Sequence, residues 1–441
     1  MESINKFNTI SLEEVNGTVK LPKKKSFWRY LLAYSGPGAL VAVGYMDPGN
    51  WITDLKGGAS FGYLLLSVVL VSSCIAMILQ YMSAKLGIVT QMDLAQATRN
   101  FTGKKLSFVL WIIIELALMA TDVAEVIGGA IAFNLLFGLP LLAGIIIEAA
   151  DVFLLLALMN MGFRKVEAIV VCLILVIMAV FAYEVILSQP HLGALFGGFV
   201  PQKEVLHPHQ LSLALGILGA IVMPHSLYLH SSIVQTRQYK RDDEESIAEA
   251  LKYATWDSNI QLTIALVVNC LLLILGASMF FGKGAGINSF TAIYHALGNP
   301  QITGSIASPI LGTLFALALL ASGQNSTITG TLTGQIAMEG FIQLKVPIFW
   351  RRIITRLITV IPVVIIALIF GAKESVLDNL LVNSQIFLSL ALPFSMIPLV
   401  LITSSKKIMG RFVNKPIIII LGSVFAILLT VLNVQLILSI I

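Results

Sequence analysis

YSGPGALVAVGYMDPGNWITDLKGG, residues 34–58, is an apolar run of membrane length, interrupted near its middle by Asp47-Pro48-Gly49-Asn50. A carboxylate in hydrocarbon costs several kcal/mol unless it faces a cavity or a partner, so Asp47 marks a functional site. Pro48 has no amide proton and Gly49 disfavours helix, so regular helix is expected to stop here. A break at mid-membrane frees main-chain carbonyls, which is tolerated only where the backbone lines a cavity or lies inside protein. Carbonyls, a carboxylate and an amide converging at one depth suit a cation.

The rest of the chain agrees with a membrane setting. Hydrophobic residues make up 57% of 441 positions and charged residues only 12%, and the mean hydropathy is +0.91. That composition belongs to a multi-pass, all-α membrane protein. The first 27 or so residues are polar and Lys-rich with no apolar core before a cleavage site, which predicts a cytoplasmic tail rather than a signal peptide. Cys74, Cys172 and Cys270 lie far apart in apolar runs and read as packing residues. The net charge of +5 could suggest nucleic acid. Its basic residues fall between apolar spans, however, where membrane orientation explains them and no nucleic-acid partner is needed.

Apolar periodicity places spans at residues 33–57, 61–84, 106–136, 141–159 and 165–188, then 210–235, 256–281, 306–342, 353–370, 375–403 and 416–440. With the N-terminus inside, the inner segments hold 24 of the 28 Lys and Arg, and the outer side only Lys56, Lys203, Lys283 and Lys373. This asymmetry predicts a cell-membrane protein with a cytoplasmic N-terminus and an extracellular C-terminus.

A second interruption lies in residues 213–232, LALGILGAIVMPHSLYLHSS, where Gly216, Gly219 and Pro224 disturb a helical run. Spans one and six are then both broken, five helices apart. Five is odd, so the second set of five is inverted relative to the first. Paired Gly/Pro-broken helices in two inverted halves point to a transporter site between them. The expected divisions are a tail at 1–30, a first repeat at 31–190, a second repeat at 208–403 and an eleventh helix at 404–441.

Other functions fit less well. His225 and His230 are five residues apart, unlike the four-residue, same-face spacing of a metal hydrolase helix, and no nucleophile elbow or phosphate loop is present, so the chain is not expected to be an enzyme. An amino-acid symporter also uses broken helices one and six, and is the nearest alternative. It would aim bare helix N-termini at a carboxylate, which Asp47 would repel. A channel would need a filter repeat.

Four segments carry a family likeness. Asp47-Pro-Gly-Asn50, Met223-Pro-His225-Ser-Leu-Tyr-Leu-His230-Ser, the run from Leu320 to Gln335, and Asn383-Ser-Gln385-Ile-Phe-Leu-Ser389-Leu-Ala-Leu-Pro-Phe394 together resemble the NRAMP divalent-metal transporters. The likeness covers roughly residues 30–440. It implies a LeuT-like fold of eleven helices in a five-plus-five inverted repeat, and proton-coupled import of manganese and ferrous iron. It implies no cofactor and no obligatory protein partner. The family pattern has Asn after Met-Pro-His; Ser226 stands there in this chain, which bears on a hydrogen bond behind the ligands and leaves the ligand set intact.

With the resemblance, the expected metal ligands are Asp47, the Asn50 amide oxygen, the Met223 thioether and the Ala220 carbonyl, with Gly44 able to offer a carbonyl from the first break. A thioether binds transition metals and offers little to calcium or magnesium. Gln385 either joins the metal when the site closes or only hydrogen-bonds between helices. For protons, Glu115, Asp122 and Glu125 in span three fall within roughly 80° of one helix face. His225 either exchanges protons or sits neutral against a carbonyl. Arg237 either pairs with one of those acids or follows the general inward bias of basic residues.

Overall fold

The computed structural model describes residue 12 and residues 16–22, 26–150, 163–282, 289–303, 307–344, 348–370 and 374–440. Residues 151–159 of the fourth expected span, and Lys283 and Lys373 of the outer charge count, lie outside them. Among the described residues the chain is helical, with one isolated parallel bridge between Val19 and Arg237.

The helices are α1 (Phe27–Tyr34), α2 (Pro37–Gly44), α3 (Pro48–Phe61), α4 (Leu66–Thr90), α5 (Leu94–Thr102), α6 (Lys104–Phe137), α7 (Leu141–Ala149), α8 (Phe163–Ser188) and α9 (Leu192–Gly198). After these come α10 (Pro208–Ile221), α11 (Pro224–Ile233), α12 (Glu244–Phe280), α13 (Phe290–Leu297), α14 (Pro309–Ala337), α15 (Ile348–Phe370), α16 (Glu374–Thr403) and α17 (Pro416–Ile440). Each expected span is mostly helical where it is described, apart from the two interruptions, the bend at Ser35-Gly36 and a turn over residues 62–65. The span expected at 256–281 starts twelve residues earlier, because Asp243 caps α12 through the Glu245 amide and the helix runs out past the apolar region.

Both interruptions are present, each slightly displaced from its expected place. The first unwinds Tyr45, Met46 and Asp47, and the DPGN residues that follow Asp47 open α3 rather than ending a helix. Proline suits the first turn of a helix, where its missing N–H costs nothing. The second unwinds only Val222 and Met223, and Pro224 opens α11. Gly216 and Gly219 stay within α10. The first segment also bends at Ser35-Gly36, between α1 and α2.

The two broken segments lie at the centre of the bundle. α3 packs on α12 and α10 on α16, while α6 packs on α14. The α3–α12 contact is backbone to backbone: a Cβ at Gly58 would lie 2.1 Å from the Leu273 carbonyl, and one at Gly276 would lie 2.4 Å from that of Leu55. Small residues that let membrane helices approach this closely replace the hydrophobic drive that lipid removes. At the periphery the pattern reverses. On α17, Ile417, Ile420, Val424, Ile427, Val431 and Leu438 form an exposed apolar stripe, as expected for a surface that meets acyl chains.

Candidate metal site

Asp47 and Met223 occupy equivalent positions, each the N-cap of a half-helix with proline next. Asp47 is extended (φ −74°, ψ 167°) and its Oδ1 accepts the Asn50 amide proton at 2.7 Å. Capping therefore uses one carboxylate oxygen and leaves the other.

Three of the carbonyls at the breaks have side-chain donors from neighbouring elements. Met46 O accepts the Trp51 indole N–H at 2.9 Å and the Ser322 hydroxyl. Gly44 O and Ala220 O, at the negative ends of α2 and α10, both accept from Asn50 Nδ2 at 3.2 Å, and the same amide reaches Asp47 Oδ1 at 2.9 Å. The Met223 sulfur lies 3.4 Å from where a Cβ would stand on Gly44, and His225 Nε2 lies 3.8 Å from the same point. Gln385 on α16 closes over the first break: a Cβ on Gly49 would sit 1.9 Å from its side-chain nitrogen. Asp47, Asn50, Ala220, Met223, Gln385 and Gly44 are thus brought together.

Three buried oxygens here have no hydrogen-bond partner: Asp47 Oδ2, Asn50 Oδ1 and Gln385 Oε1. Buried polar atoms are rarely left unpaired. With the Met223 sulfur and two helix-end carbonyls they form a donor set carrying one carboxylate charge. Among the described residues no three His, Cys, Asp or Glu side chains cluster as a conventional metal centre, so the neutral donors set its character. Asp47, Asn50, Met223, His225 and Gln385 are each at most 1% exposed, so the site is sealed on both sides.

One seal was not read from the sequence. Gln80 of α4 donates to Tyr45 Oη and to Ser226 Oγ, both at 2.8 Å, and its Oε1 meets His230 Nδ1 at 2.9 Å. Ser226 Oγ in turn donates to Met223 O at 2.8 Å. Ser226 thus takes part in the network behind Met223, with Gln80 spanning the distance.

The acids of α6 face inward. Glu125 Oε1 accepts from Ser326 at 2.6 Å and Oε2 from Thr327 at 3.1 Å, both on α14. Asp122 and Glu125 flank Gly330, their oxygens 3.0 and 3.5 Å from where its Cβ would be. Glu115 lies two turns earlier, largely buried. His225 Nδ1 is 3.4 Å from the Thr121 hydroxyl, so it touches α6 next to Asp122. Arg237 meets none of these acids. It forms a two-pronged ion pair with Glu167 of α8 (2.6 and 3.1 Å) and donates to Ala33 O, Ser35 O and Thr236 Oγ1. All five guanidinium N–H groups are spent there.

This geometry can be set beside known proteins. A divalent metal cation transporter MntH from Levilactobacillus brevis is 60% identical over 430 residues, covering 97% of this chain and 94% of that protein. The crystal structure of the Eremococcus coleocola manganese transporter, in complex with an aromatic bis-isothiourea compound, superposes with a TM-score of 0.90 at 51% identity, covering 96% of this chain and 90% of that one. Mhp1, a nucleobase-cation-symport-1 family transporter, shares the fold at 16% identity with a TM-score of 0.61, covering 96% and 95%, and with the broken helices this gives a LeuT-like architecture. The family model for Nramp, natural resistance-associated macrophage protein-like, matches residues 38–439, a span that holds both breaks and every candidate ligand; the chain belongs to that family.

Proposed function

We propose that this chain imports divalent transition-metal ions, manganese first and ferrous iron second, by proton symport with alternating access. The observation that carries this reading is the sealed set of orphaned oxygens at Asp47, Asn50 and Gln385 beside the Met223 sulfur. Met223, Asp47, Asn50 and the Ala220 carbonyl hold the ion, and Gln385 completes its surroundings in the closed state. The cargo of the relatives, a divalent metal cation and manganese, matches that chemistry.

Protons travel by a separate route. His225 stands between the metal site and α6, and Asp122, Glu125 and Glu115 provide successive carboxylates along that helix. Arg237, held by Glu167, serves the closed face rather than the relay. A divalent ion and one proton moving inward carry three charges, each worth about 2.3 kcal/mol per 100 mV. The repeats run over 31–190 and 208–403, the N-terminus is cytoplasmic and the C-terminus extracellular, and neither a cofactor nor a protein partner is required.

The test is uptake into proteoliposomes. Manganese entry should rise with an inside-negative potential and should acidify the lumen. Uptake that ignores both the potential and an imposed proton gradient would remove the coupling.

A further inference from the structure

The part of the N-terminal segment that is described, Leu12 and residues 16–22, does not trail away from the bundle. The turn Val234–Thr236 that follows α11 ends with carbonyls that have no helical partner. The N-terminal segment fills them: Gly17 N–H donates to Gln235 O at 3.1 Å and Val19 N–H to Thr236 O at 3.0 Å. The bonding is returned, since Gln238 N–H donates to Val19 O at 2.9 Å and the Gln238 side chain to Gly17 O at 2.6 Å.

A second anchor lies across the same face. Leu12 is fully buried, with φ at 52°, and its N–H donates to Glu339 Oε2 at 3.0 Å in the turn Met338–Ile342 that ends α14. The segment therefore joins the end of α11, the half-helix that begins at Met223 and carries His225 and His230, to the end of α14. It leads directly into α1, whose junction with α2 is gripped by Arg237 through Ala33 O and Ser35 O.

The N-terminal segment is continuous in the chain with α1 and hydrogen-bonded to the end of α11, so any parting of α1 from α11 at this face has to break these bonds. Were it to stay bound, it would hold them together; once released, the Gln235 and Thr236 carbonyls, on residues at most 2% exposed in the sealed state, lose the donors that satisfy them. We propose that Leu12 and residues 16–22 form a latch, seated across the end of α11 while the metal site is sealed, and that its release is a required step of each transport cycle. The latch rests on the transport reading above.

The experiment uses the full chain with its three cysteines replaced by serine, reconstituted in proteoliposomes. Val19→Cys and Gln238→Cys are joined by a short, cleavable thiol cross-linker. Manganese uptake should fall at least tenfold on linking and return on cleavage, with each single-cysteine protein unaffected. In parallel, Ser232→Cys, at a position 1% exposed in the sealed state, is treated with a membrane-impermeant maleimide without metal. Removing residues 1–19 should speed its modification at least fivefold. Linked protein that still transports at the unlinked rate overturns the latch, as does unchanged modification after truncation. Absence of uptake by the unlinked protein would instead refute the transport reading, whereas the thiol measurement needs no cargo.

Discussion

The side-chain amide of Asn50 reaches the carbonyl of Ala220 at 3.2 Å, so one group bridges two helices broken 170 residues apart in the chain. The same nitrogen serves Gly44 O and Asp47 Oδ1. Asn50 thus satisfies the exposed main chain with its nitrogen, while its oxygen is left without a hydrogen-bond partner and is the atom assigned to the ion in the proposed reading.

Replacing Asn50 with Ala removes both. Two buried carbonyls lose their donor, at about 1–3 kcal/mol for each left unsatisfied, and on the proposed reading the ion loses a ligand. Manganese binding measured by isothermal titration should weaken at least tenfold, or about 1.4 kcal/mol. A variant that binds as tightly as the parent would show that the amide oxygen does not touch the metal.

On the proposed reading, Met223 sets selectivity rather than overall strength. Without the thioether the site offers oxygens only, which is what calcium and magnesium want. In Met223→Ala, manganese uptake should become several-fold more sensitive to competing calcium or magnesium. If the competition profile is unchanged, the sulfur only fills space against Gly44.

Much of this site was legible in the sequence, and the limits are physical. Asp47 and Met223 stood out because each precedes a proline inside an apolar run, a local signal of a break. The place of each break was off by a few residues, because proline and glycine were taken to end a helix when proline here begins one. Gln80 and Tyr45 gave no signal, since a single polar residue in a membrane helix looks the same whether it seals a cavity or faces a loop. Glu167 was invisible for a different reason: Arg237 chose it over the α6 acids through tertiary placement, and nothing in the spacing of 70 residues encodes that.

Gln80 is predicted to govern the seal beside Ser226 and His230. Gln80→Leu preserves bulk and deletes three side-chain hydrogen bonds, each worth about 0.5–1.5 kcal/mol. The sealed state should lose ground, raising the modification rate of a cysteine placed at Ser232 several-fold while manganese affinity changes little. Unaltered modification would mean that packing alone keeps this face shut.

The Arg237–Glu167 pair is 1–2% exposed, and Glu167 also holds the half-exposed Arg164 at 3.0 Å, so it is Arg237 that is left without a carboxylate partner when Glu167 is removed. Removing one partner from such a pair leaves a bare charge and costs about 3–5 kcal/mol, whereas removing both can be nearly neutral. Glu167→Ala should therefore lower the thermal unfolding temperature in detergent by more than the double variant Glu167→Met with Arg237→Met. The double variant will not recover fully, because Ala33 O and Ser35 O still lose their donor. Losses in the single variants Glu167→Met and Arg237→Met that simply add in the double variant would show that the ion pair contributes nothing of its own, and that the guanidinium matters only through those two carbonyls.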